Sequence, residues 1–151
     1  MSGATAAVVA LALVAGVAGS IQVAVMGRFG ARIGSFEALV ANLAFSTLLA
    51  SVVLLALRQG FGGIGDAVRS PWWYWLGGGG MGALVVFSIT VCAPRIGATA
   101  TIGVLIAGQL AMGVVIDRFG LFGVDEVELT WPRAFGVLLL GIGAGLSLTR
   151  S

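Results

Sequence analysis

Residues 96–116 make 21 consecutive positions without a charged side chain, and four other runs in the chain are comparably apolar. At 1.5 Å of rise per residue a 21-residue helix is about 31 Å long, the thickness of a bilayer's hydrocarbon core. The runs fall at about 4–26, 37–57, 72–93, 96–116 and 132–149. In hydrocarbon every backbone polar group must find a partner inside its own element, so each run predicts a helix. The expected fold is therefore an all-α integral membrane protein of five transmembrane helices, in one membrane domain over residues 1–151. Composition agrees: 59% of residues are hydrophobic and 9% charged, where a soluble domain carries about a quarter charged.

Lysine and histidine are absent, and every positive charge is an arginine, lying between the apolar runs or at the very edge of one. No nucleophile–base pair suggests an enzyme, and no basic patch suggests nucleic acid. No cofactor or metal is expected. Cys92 is the only cysteine, which excludes an intrachain disulfide. The opening "ATAAVVALALVAGVAGS" lacks a basic leader and is followed by four further runs, so it reads as a first span rather than a signal peptide. The expected location is the inner (plasma) membrane, as a multi-pass protein.

Five spans place the termini on opposite sides. Arg58, Arg69, Arg118 and Arg133 then lie on the side of the N-terminus, and Arg28, Arg32, Arg95 and Arg150 on the other. Orientation follows the difference in arginine and lysine between sides, and four against four gives none. Two oppositely inserted copies could pair as an antiparallel homodimer, the two-chain counterpart of the inverted repeat in many transporters. A partner chain that fixes one orientation is the other reading. The segments "GRFGARIG" and "DRFGLFG" echo one another, which two similar helix exits explain without an internal duplication.

Polar residues within the spans are few. Gln22, Asn42, Ser46, Thr101 and Gln109 are the candidate substrate contacts. Asn42 and Ser46 share a helix face, and Thr101 and Gln109 lie eight positions apart along the fourth helix. An amide left unpaired in hydrocarbon costs several kcal/mol, so Gln109 has to meet a partner helix or a wet cavity. The competing reading is that serine and threonine bond their own backbone and that the amides join helices. Glu37 follows a possible cap at Ser35. It reads either as a carboxylate settled at a helix N-terminus or as a proton- or cation-coupling group at the mouth of a polar half-bundle. Asp117 beside Arg118 suggests an interfacial pair, and Asp125, Glu126 and Glu128 a solvated acidic loop. Gly78-x-x-x-Gly82 fits packing within the chain, whereas Gly141 and Gly145 on the last helix are the candidate dimer interface.

Four segments, "RFGARIGSFEALVANLAF", "PWWYWLGGGGMGAL", "APRIGATATIGVLIAGQLAMGVVIDRFGLFG" and "RAFGVLLLGIGAGLSL", resemble the YdcZ-type family of the drug/metabolite transporter superfamily. The resemblance implies a five-span protein of a family that also occurs as pairs and as ten-span fusions. It implies transport of small metabolites or organic cations, with no substrate assigned. The family commonly carries an asparagine late in the first helix, where this chain reads "VAVMGRFG", so that residue's role is not carried over. The buried glutamate of the architecturally related small multidrug exporters has no counterpart either, since the first helix offers only Gln22. The resulting expectation is a secondary transporter of a small metabolite or organic cation, working by alternating access as a dual-topology homodimer in the lipid bilayer. A passive dual-topology channel and a non-transporting membrane subunit remain as alternatives.

Overall fold

The computed structural model describes residues 3–57, 62–128 and 130–149. Arg58 and Arg150, two of the arginines in the count of sidedness, lie outside them. No strand occurs among the described residues, and five helices are long and apolar enough to cross a membrane. The elements are α1 (Gly3–Ile33), α2 (Ser35–Ala56), a short α3 (Gly62–Arg69), α4 (Trp72–Ile96), α5 (Ala98–Phe119) and α6 (Trp131–Leu148).

Helix bounds depart from the apolar runs for identifiable reasons. α1 continues about two turns past its apolar run to Ile33 and takes Arg28 and Arg32 with it, because helical hydrogen bonding is indifferent to where the hydrophobic stretch stops. Pro94 lies in the last turn of α4 without ending the helix. Within α4, Trp75–Gly80 is wound as a π-helix. Four consecutive glycines there bring no side chains that would resist the wider turn. Ser35 is the first residue of α2 rather than its cap, and Gly34 holds the cap position. Thr130 precedes α6, with Pro132 in its first turn, where a missing N–H costs nothing.

Two helix junctions consist of a single glycine each. Gly34 (φ 105°, ψ 147°) separates α1 from α2, and Gly97 (φ 86°, ψ 159°) separates α4 from α5. Only glycine reaches this region without strain. Each glycine carbonyl at once accepts the first bond of the next helix, from Ala38 N–H at 3.0 Å and Thr101 N–H at 3.1 Å. Both junctions read Arg-Ile-Gly, at residues 32–34 and 95–97. This is the repeat the backbone supports. The echo between "GRFGARIG" and "DRFGLFG" is not one, since Gly120 closes α5 in an ordinary left-handed cap at φ 58°, ψ 31°.

The chain separates into two compact units, residues 1–24 with 95–151, and residues 25–94. In the second unit the end of α1 packs on the end of α4 through glycine. A Cβ built on Gly30 would fall on Cγ2 of Thr90, and one on Gly27 would lie 2.9 Å from Cβ of Ala93. Thr90 is buried at this contact, and Phe36 of α2 sets its ring 4.7 Å from that of Phe87 on α4. Gly78 and Gly82, expected to make such a contact, have nothing within 4 Å of a modest Cβ extension. The close approach uses a glycine pair three apart on α1 instead.

In the first unit, α5 and α6 form an antiparallel hairpin fastened at two points. Near one end Gly103 lies against Ala144 and Ser147, with its would-be Cβ 3.3 Å from the Cα of Ala144. Ala100, Thr101 and Ala144 are buried. At the other end Arg133 of α6 meets Asp117 of α5 at 3.3 Å. The connecting segment folds back on α5, where the Val127 amide donates to the Asp117 carbonyl at 2.8 Å.

Candidate functional site

Along the α5–α6 hairpin, beside the Asp117–Arg133 end, lies a cleft of about 290 Å³. Gln109, Leu110, Gly113, Val114 and Asp117 line it from α5, and Arg133, Gly136, Val137 and Leu140 from α6. Local sequence explains the space. Gly113 and Gly136 contribute no side chain, while Leu110, Val114, Val137 and Leu140 supply apolar walls. Gln109 and Asp117 are eight residues apart, about 12 Å along the helix, so the cleft carries an amide at one end and an ion pair at the other. Gln109 itself is exposed in the single chain.

The other candidate residues are placed differently. Thr101 is 2% exposed and its hydroxyl donates to the Gly97 carbonyl at 2.8 Å. Ser20, Ser88 and Thr90 likewise donate to the carbonyl four residues back. That is the self-satisfying pattern common to hydroxyls in membrane helices. Gln22 on α1 and Asn42 on α2 are half-buried, and Ser46 on α2 is exposed.

Glu37 is exposed in the first turn of α2, where the helix dipole favours a carboxylate. Its side chain folds back over Gly34, so that a Cβ on Gly34 would collide with the carboxylate. With Phe36, Val40 and Ala41 it also lines a shallow depression on α2. Gly141 and Gly145 face open space, with nothing within 4 Å of a Cβ at either.

Sequence reading missed the pairing of Asp117. Neighbours in a helix point about 100° apart, so Arg118 could not close on it. Arg133, at the start of the next helix, does. No group of metal-ligating side chains occurs among the described residues.

Residues 7–146 match the family described as "Putative inner membrane exporter, YdcZ". The chain belongs to the YdcZ family. Over 100 residues it is also 38% identical to the inner membrane protein YdcZ of Escherichia coli (strain K12), a stretch that covers 66% of each chain. No solved structure matches it. The protein is accordingly a multi-pass inner membrane protein of a transporter family, and the five apolar helices are its membrane-spanning part.

Proposed function

We propose that this chain is a secondary transporter of a small metabolite or small organic cation that works by alternating access as an antiparallel, dual-topology homodimer. The observation that carries this reading is the exposure of Gln109. It sits 12 residues into a 22-residue span, far from either end, yet a single copy does not cover it. An amide in that position cannot face lipid without losing several kcal/mol. A second copy, with water and substrate between the two, resolves the problem. Low internal burial fits as well, because only 6–11% of each span is buried within one chain. The balanced arginines permit the two copies to insert in opposite senses, and pairing them recreates the inverted repeat on which many transporters are built.

In this arrangement Gln22, Asn42, Ser46 and Gln109 contact the substrate, and Glu37 exchanges a proton or holds a cation at the entrance. Thr101 joins them only if its bond to Gly97 opens. Gly141 and Gly145 provide the small-residue contact to the second copy. The reading is tested by counterflow in proteoliposomes with a panel of labelled metabolites and organic cations. Saturable exchange, accelerated by unlabelled substrate on the far side, is expected. Single-channel currents would make the protein a passive channel. Failure to form any homodimer when expressed alone would make it a subunit dependent on a partner chain.

A further inference from the structure

The ion pair at the mouth of the α5–α6 cleft is wired against its own helices. Asp117 lies in the last turn of α5, where the carbonyl end of the helix already carries partial negative charge, and Arg133 lies in the first turn of α6, where the amide end carries partial positive charge. A pair serving only to fasten two helices is better placed with the signs exchanged, and neighbouring Arg118 shows the sign that the end of α5 favours. The two charges are also reachable, with 32% of the Asp117 side chain and 50% of the Arg133 side chain exposed. Together they present two adjacent poles. Asp117 with the end of α5 attracts a cation, and Arg133 with the start of α6 attracts an anion.

We propose that this cleft binds a small zwitterion of the α-amino-acid type with an apolar side chain. The ammonium engages Asp117 and the carboxylate engages Arg133. The side chain lies between Leu110, Val114, Val137 and Leu140 and extends toward Gln109. At about 290 Å³ the cleft stands at the small end of ligand pockets. A simple amine would take Asp117 from Arg133 and leave the guanidinium without its partner, and a simple carboxylate would do the reverse. A zwitterion leaves neither charge alone, which is the discrimination expected of partly desolvated groups. This names the substrate class for the transport reading above and rests on that reading for the step of carriage, although binding can be measured without it.

The test is equilibrium binding of radiolabelled L-leucine to the purified protein in detergent. Two competitors each lack one pole, 3-methylbutylamine and 4-methylpentanoate. Saturable leucine binding is expected, with each competitor weaker by about tenfold or more, the loss that follows from removing one charged contact. Asp117→Asn and Arg133→Gln should each weaken leucine by a similar factor. Gly136→Leu, which places a side chain in the cleft and leaves both charges in place, should abolish binding, and an unchanged gel-filtration profile and helical circular-dichroism signal for each variant exclude loss through misfolding. Competition by the amine as strong as by unlabelled leucine, binding untouched by all three variants, or no saturable leucine binding at all would overturn the assignment. Leucine bound but not carried into proteoliposomes would defeat the transport reading and leave this site standing. Transport of another substrate by the unmodified protein, with no saturable leucine binding, would do the opposite.

Discussion

Replacing Gly30 with valine places a branched side chain where the Cγ2 of Thr90 already lies. Thr90 has little room to give way. It is 1% exposed, and its hydroxyl is committed to the Val86 carbonyl at 2.8 Å, so turning the side chain sacrifices that bond. Sliding α1 along α4 is restrained by Gly27 against Ala93. The helices must therefore separate. Overpacking of this kind costs about 1–3 kcal/mol, and a branched side chain on a fully occupied contact belongs at the upper end. Valine returns about 0.5 kcal/mol through better helix propensity than glycine. The net cost is then about 2.5 kcal/mol, or roughly 70-fold in the opening equilibrium, taking RT as about 0.6 kcal/mol. Cys92, the only thiol and half-buried two residues from Thr90, reports it directly. Its maleimide labelling under mildly denaturing detergent should quicken by that factor where opening and closing outpace the reaction. Gly19→Val, on the same helix but with nothing near its Cβ, should label as the unmodified protein does. Adding Thr90→Ala to Gly30→Val should recover much of the protection, with a coupling of about 0.5–3 kcal/mol. Labelling of Gly30→Val at the unmodified rate, or no recovery on removing the threonine methyl, would refute the packing argument.

Three other expectations concern separate parts of the chain. Glu37→Gln should abolish proton-linked exchange in proteoliposomes, and an unchanged pH dependence would remove Glu37 from the mechanism. Gly97→Ala meets no steric obstacle but must hold alanine at φ 86°, which should lower stability by about 1–3 kcal/mol in an unfolding titration; a shift of less than half that would mean the junction relaxes freely. Gly145→Leu should convert the dimer to monomer in detergent gel filtration without altering the fold, and a persistent dimer would move the interface off α6.

The architecture was readable because a membrane imposes one solution on a long apolar run, and each of the five helices long and apolar enough to span overlaps one such run. What escaped was set by local geometry. The run of charge and glycine at Gly27 and Arg28 suggested that α1 stops there, whereas those glycines serve its contact with α4. The one-residue junctions were legible in principle, since Arg-Ile-Gly occurs twice, but a glycine in sequence does not reveal its φ. Asp117 was assigned to its neighbour because sequence shows adjacency along the chain and not the direction of a side chain around a helix. The α5–α6 cleft is lined by residues 109–117 of α5 and 133–140 of α6, and no pattern in either helix alone announces that the two line it together. Gln109 stood out in the sequence because an amide interrupts an apolar run, but its place in the lining of this cleft did not.

The central claim is that two copies insert in opposite senses, and topology tests it without knowledge of the substrate. The protein would be fused at its C-terminus to a reporter active only in the cytoplasm and, separately, to one active only after export. Comparable activity from both fusions is the predicted result. Activity from one fusion alone would contradict the antiparallel homodimer, and with it the account of what covers Gln109.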